Sequence, residues 1–224
     1  MSDWQPHWEA ITPACRAALE VLRKQPFIRK FYLAGGTALA LQIGHRVSHD
    51  LDWFSSSAQL KRIERDRIRR PLERRGAFVV TGEQDTMLFT RLLDAQVSFI
   101  YQRHPLVEPT VDLEGLALAS PTDIGLMKLA AIKDRGTRRD FVDLYCLRQI
   151  VTLDRLIDLV ESKYADRPDF SPILARALAY FEDAEQQPMP KMLKRVRWDG
   201  VKRYAQGGAL YIVQRQRQKA QRGI

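Results

Sequence analysis

Cysteine is scarce in this chain: Cys15 and Cys146 are the only two, and they lie far apart. A disulfide framework and a cysteine zinc site are therefore not expected, and the scarcity fits a reducing compartment. Long apolar runs are also missing. Charged or polar residues interrupt every stretch before it reaches the roughly 18 residues of a membrane span. The N-terminus, Met-Ser-Asp-Trp-Gln-Pro-His-Trp, has neither the basic start nor the apolar core of a signal peptide, so a cytoplasmic protein without a membrane partner is expected. Internal repeats and low-complexity tracts are absent. Acidic residues almost vanish from one region: from Lys191 to Ile224, Asp199 stands alone against ten basic residues.

The charge that is present is therefore localised. The chain carries a formal net charge of +9, and the final 34 residues hold all of it, leaving residues 1–190 balanced. A second basic cluster, Lys61 to Arg75, has eight basic and three acidic residues. Positive charge gathered in this way suits a polyanion such as nucleic acid, held through its phosphates. A solvated helix face followed by a frayed end is the plainer alternative. With 224 residues the chain can bury roughly 70% of its unfolded surface, so it needs no metal or disulfide to fold.

Periodicity divides the chain. Residues 8–24 have apolar positions at three- and four-residue steps, as an amphipathic helix does, and Pro26 ends it. Phe31 to Ala34 is a short apolar run meeting Gly35-Gly36, after which Thr37, a candidate N-cap, opens a helix to Ile43. Asp50 to Phe54 alternates as a half-buried strand. Leu60 to Arg75 reads as a basic helix that Pro71 can break. Ala77–Thr81, Met87–Leu93 and Ala95–Gln102 read as consecutive strands, with a tight turn near Asp94. From Pro121 the period becomes helical, over Pro121–Lys133, Arg139–Ile150, Leu153–Tyr164 and Ser171–Glu185, and residues 186–190 form a linker. An α+β fold follows, with an α/β core over 1–118 and a helical half over 119–224 that carries the basic C-terminal segment.

Two short segments carry candidate chemistry. Gly35-Gly36 between a strand and a helix lets a ligand approach the backbone, and the helix start turns free N–H groups toward it, a natural place for phosphate. A plain tight turn has the same signature. Asp50 and Asp52, two apart on a strand, project to one face and repel each other unless a cation such as Mg²⁺ lies between them. A solvated turn is the ordinary alternative, but Leu51, Trp53 and Phe54 argue that the strand packs on a core. Thirteen residues separate Gly36 from Asp50, room for a helix and a returning strand. That spacing can set phosphate-binding amides beside metal-holding carboxylates, as attack on a nucleoside triphosphate requires.

The stretch Leu33 to Phe54, LAGGTALALQIGHRVSHDLDWF, resembles the Gly-Gly-Thr and Asp-x-Asp motifs of the AbiEii/AbiGii toxin nucleotidyltransferases, a branch of the DNA polymerase beta-like superfamily. Residues 121–145, PTDIGLMKLAAIKDRGTRRDFVDLY, resemble the later motifs of the same family. The resemblance spans residues 31–150 and implies a polymerase beta-like core, a small mixed sheet with flanking helices. It also implies a toxin of a toxin–antitoxin or abortive-infection system, neutralised by a cognate antitoxin protein. Such a toxin transfers nucleotides from an NTP to RNA, tRNA above all, with Mg²⁺ or Mn²⁺ as cofactor.

By the same resemblance Gly35, Gly36 and Thr37 hold the β- and γ-phosphates, and Asp50 and Asp52 are catalytic metal ligands. Lys128 grips the triphosphate, Asp140 deprotonates or orients the attacking hydroxyl, and Asp143 is an accompanying structural acid. Ser48 is a candidate phosphate or metal-side contact. Arg46 is either a phosphate contact or a surface charge, and His49 is exposed or structural. The superfamily places a third carboxylate on a later strand, and Ser98 stands at that position here. Either Asp140 completes the site, or one metal suffices, or the chain is catalytically weak. Two other functions share these residues: nucleotidyl- or phosphotransfer to a protein or small molecule, and nucleotide or RNA binding without transfer.

Overall fold

The computed structural model describes residues 4–74 and 76–221. Arg75, the expected end of the basic helix, lies outside the described residues, as do Met1 to Asp3 and the end of the basic segment, Arg222 included. The chain separates into two compact units, one up to Ser120 and one from Pro121 onward.

The first unit is built on a seven-stranded mixed sheet, counted among the described residues, in the order β3-β4-β5-β2-β1-β7-β6. The strands are β1 (Tyr32–Ala34), β2 (Asp50–Ser55), β3 (Phe78–Gln84), β4 (Met87–Leu92), β5 (Ala95–Tyr101), β6 (Val111–Leu113) and β7 (Leu116–Leu118). β2 lies centrally, antiparallel to β1 and parallel to β5. Leu93 and Asp94 both take left-handed backbone angles in the turn between β4 and β5, which fits the twist of a two-residue hairpin. β6 and β7, three residues each, are too short to show alternation, and no expectation covered them.

Among the described residues three α-helices belong to this unit: α1 (Pro13–Arg23), α2 (Gly35–Ile43) and α3 (Arg62–Glu73). The expected helix over 8–24 is in fact a short 3-10 turn, Trp8–Ala10, followed by α1. Thr12 accepts a hydrogen bond from the Cys15 amide and Pro13 occupies the first helical position, so α1 starts there. Pro71 does not break α3. It sits in the last turn, where one lost amide donor is tolerated, and the helix ends two residues later at Glu73. One face of the sheet is dry: Leu51 and Trp53 on β2, Val97 and Phe99 on β5 and Leu88 on β4 are buried, with the ring of Phe31 set edge-on to Phe99 at 5.3 Å. The alternate residues of these strands are half-buried or exposed, and they carry the site.

The second unit is helical, with α4 (Pro121–Asp134), α5 (Arg138–Leu147), α6 (Leu153–Lys163), α7 (Phe170–Ala179), α8 (Glu182–Glu185) and α9 (Trp198–Gln221). The single helix expected over 171–185 is two, because Tyr180 takes extended angles and Phe181 turns its ring onto Phe141 (5.3 Å) and Trp198 (6.1 Å). The basic C-terminal segment is largely α9, a 24-residue helix rather than a frayed end. Val201, Ala205, Gly208, Ala209 and Ile212 form its buried stripe, and a side chain on Gly208 would meet Leu153 of α6. No helix among the described residues is long and apolar enough to cross a membrane.

Candidate active site

β1 ends at Ala34, directly opposite Asp52 on β2, so the chain turns into α2 beside that carboxylate. The turn is made at Gly35, whose φ of +67° is left-handed. A β-carbon there would stand 3.0 Å from Asp52 Oδ2, which shows how closely the carboxylate lies over the turn. Gly36 is small for a different reason. A β-carbon on it would fall 2.2 Å from Arg46 Nη2 and 3.2 Å from Ser48 Oγ. Arg46 is thus no surface charge: it is 4% exposed, its guanidinium lies against the second glycine, and Nη1 donates to the Val47 carbonyl at 3.1 Å.

Thr37 is not the N-cap of α2, a place that Ala34 takes. It lies inside the first turn, buried, and its hydroxyl donates to the main-chain carbonyl of Asp50. The hydroxyls of Thr37 and Ser48 lie 2.8 Å apart. Both side chains therefore tie the start of α2 to the start of β2. His49 is exposed, and its carbonyl accepts from the buried Cys15 thiol at 3.0 Å, which fixes the chain just before Asp50 from the α1 side.

β2 keeps unbroken register with β5 from Asp50 to Ser55, so Asp50 and Asp52 share one face, with Leu51 and Trp53 buried on the other. Both acids are half-buried. Ser98 pairs with Asp52 and Gln96 with Asp50, which puts a hydroxyl and an amide where additional acids would have to be. Asp94 is exposed in the hairpin turn. Among the described residues no group of three or more His, Cys, Asp or Glu could hold a metal. A pair of same-face carboxylates nevertheless suits Mg²⁺, which keeps several waters and takes one or two protein carboxylates together with substrate phosphates.

The remaining predicted residues lie in the helical unit and meet each other there. Lys128 Nζ is 2.9 Å from Asp140 Oδ1 and 2.7 Å from Asp143 Oδ2, all three residues being buried. Arg135 Nε approaches Asp140 Oδ2 at 3.2 Å, and the Thr137 hydroxyl donates to the same oxygen at 2.6 Å. Burial opposes ionisation of Asp140, but the charges of Lys128 and Arg135, with the hydrogen bonds from Thr137 and Lys128, outweigh it and hold the carboxyl at about 2. Asp140 is an anion at neutral pH and a weak proton acceptor, since a good general base has a pKa near the working pH.

What sequence reasoning missed was the structural use of Arg46 and Thr37. An arginine ten residues after Gly36 has no local signature, and only the folded turn brings it back to the glycine.

A family model described as "Nucleotidyl transferase AbiEii toxin, Type IV TA system" matches residues 17–207. An uncharacterized protein of Aquifex aeolicus (strain VF5) is 38% identical over 188 residues, covering 77% of this chain and 84% of that one. Among solved structures, MenT4, a nucleotidyltransferase toxin of Mycobacterium tuberculosis H37Rv, superposes with a TM-score of 0.56 at 14% identity, over 88% of this chain and 82% of that one. JHP933 from Helicobacter pylori gives 0.52 at 20% identity, over 93% and 92%. ANT(2")-Ia in complex with adenylyl-2"-tobramycin gives 0.51 at 11%, over 67% and 97%. At these identities the structural likeness is one of fold, a mixed α+β architecture.

Proposed function

The chain belongs to the AbiEii family of nucleotidyl transferase toxins, of type IV toxin–antitoxin systems, and from that premise we propose that this nucleotidyltransferase moves a nucleotide from an NTP to RNA, tRNA foremost. The observation that carries the reading is the contact of the Asp52 carboxylate with the Gly35 turn, with Asp50 on the same strand face. Main-chain amides at the start of α2 bind the β- and γ-phosphates, where the helix dipole favours negative charge. Asp50 and Asp52 would hold Mg²⁺ or Mn²⁺. When bound, the ion supplies the positive charge that neutralises the triphosphate and the leaving pyrophosphate. Arg46 braces Gly36, while Thr37 and Ser48 lock the distance between phosphate turn and carboxylate strand.

For Lys128 and Asp140, the roles implied by the resemblance are triphosphate binding and orientation of the attacking hydroxyl. Their mutual pairing supports a framework role as well, and the low basicity of the Asp140 carboxylate favours orientation over proton abstraction. A cognate antitoxin that restrains the activity, and a cytoplasmic setting, complete the reading.

A protein or small-molecule acceptor is the second reading. It is favoured by one observation: Lys202, Arg215 and Lys219 of the basic C-terminal segment form ion pairs with Glu185, Asp158 and Glu161, which removes part of the charge available to RNA. Incubation with labelled NTPs, Mg²⁺ and total tRNA separates the two. Label is expected in tRNA, with Asp50→Ala and Asp52→Ala each lowering transfer by about 100- to 1,000-fold, as removal of charge-stabilising groups does. Asp50- and Asp52-dependent label in protein or in a small product would reject the RNA reading.

A further inference from the structure

The face of the sheet that carries Asp50 and Asp52 continues across β5 and β4. Register aligns its side chains in two cross-strand rows. One runs Asp52, Ser98, Phe89, and the other Asp50, Gln96, Arg91. Paired residues of neighbouring strands share a face, and strands are spaced by about 4.8 Å, so Phe89 stands about 10 Å from Asp52. Phe89 is half-buried, and Gln96 and Arg91 are exposed. Arg91 has no ion partner among the described residues. Gly82 of the edge strand β3 pairs with Phe89, so that strand sets no side chain directly opposite the ring.

These features are unlike the opposite face of the same strands, where Val97, Phe99, Leu88 and Leu92 are buried. An aromatic ring and a methionine, Met87, left partly open on a face continuous with the carboxylates call for a planar occupant. The neighbouring Arg91 calls for an anionic one, and the Gln96 amide can meet hydroxyls. Ser98 acquires a meaning here too: a neutral hydroxyl spares an approaching phosphodiester a third negative charge beside Asp50 and Asp52.

Resting on the RNA reading given above, we propose that Phe89, Arg91 and Gln96 form the platform for the acceptor end of the RNA: the acceptor nucleotide's base stacks on Phe89, its phosphate meets Arg91 and its ribose meets Gln96. The attacking hydroxyl is thereby delivered along the Ser98 row toward the triphosphate at Asp52. Transfer then forms one phosphoester bond between that hydroxyl and the α-phosphorus, breaks the α–β bridge, and releases pyrophosphate and the hydroxyl proton.

The test uses the full chain, a labelled NTP and total tRNA, with KM measured separately for each substrate. Phe89→Ala is expected to raise KM for tRNA about 10-fold, as loss of one base stack does, and to leave KM for NTP unchanged. Phe89→Tyr keeps the stack and stays near wild type. Arg91→Gln, at an exposed position that does not bear on folding, also raises KM for tRNA and flattens its dependence on salt. If Phe89→Ala and Arg91→Gln both keep the wild-type KM for tRNA, or raise both KM values and lower the thermal midpoint together, the platform is refuted. A wild-type protein that labels protein or a small product instead of tRNA removes the RNA reading first, and the platform with it.

Discussion

A methyl group added to Gly36 would occupy the space of the Arg46 guanidinium, and the outcome distinguishes two uses of a glycine turn. If the glycine only relieved backbone strain, alanine would be harmless, because the left-handed angle belongs to Gly35 and not to Gly36. Arg46 fills the space, so it must withdraw and the turn loses its brace. Gly36→Ala is therefore expected to lower kcat/KM for NTP about 100-fold, the cost of an ångström-scale misplacement, with a thermal midpoint close to wild type. Combining it with Arg46→Met should add little further loss, because both changes break one contact, and steady-state kinetics of the two single variants and the double variant check this. Residues two apart on a strand were readable as sharing a face, which is why Asp50 and Asp52 were legible in the sequence. Arg46 and Thr37 were legible only as residue types, because their partners are fixed by a turn that folds back over ten or more residues.

Between elements, the link of α4 to α5 through Lys128, Asp140 and Asp143 predicts how the helical unit responds to acid. The folded Asp140 carboxyl is held at about 2, below its ordinary value of 3.8, so its contribution is fully present above pH 4 and is lost as pH falls toward 2. That contribution is about 2 kcal/mol. Urea denaturation at pH 7, 4 and 2.5 should show wild-type stability dropping mainly in the last interval. Asp140→Asn should be about 2 kcal/mol less stable at pH 7, because Lys128 keeps Asp143 but loses its second carboxylate, and should be less sensitive below pH 4.

The same scale shows where sequence patterns suffice. α4 and α6 match their periodic stretches to within a residue, and the starts of β2, β4 and β5 match theirs. The division of α7 from α8 could not be read, since it depends on the ring of Phe181 finding Phe141 and Trp198. α9 was obscured because its buried stripe is made partly of Ala205, Gly208 and Ala209, too small to stand out among so many charged neighbours.

On the scale of the whole molecule, the excess charge is less freely available than its sum suggests. Lys191, Arg195, Arg197, Arg203 and Arg217 are exposed and have no ion partner among the described residues, whereas Lys202, Arg215 and Lys219 brace α9 against acids of its own unit. Replacing Arg195, Arg197 and Arg203 by glutamine should reduce the slope of log affinity for tRNA against log salt by about 2, near 0.7 to 0.9 per phosphate contact, with unchanged thermal stability. Replacing the three braced cations should instead lower the thermal midpoint and leave the slope nearly as it was. Filter binding over a salt series, with melting curves of both triple variants, checks the contrast.

The strand that bears Asp50 and Asp52 has one neighbour made before it and one made long after it. β5, its parallel partner, ends at Tyr101, and β7, on the far side of β1, ends at Leu118. A nascent chain released only as far as β4 has therefore exposed both acids and the glycine bend without the parallel strand that flanks them. Parallel pairing across so long a stretch closes late, because its entropy cost must be met before the contacts reward it. The two acids and the bend are therefore flanked on both sides only once β5 has joined β2, late in the making of the first unit.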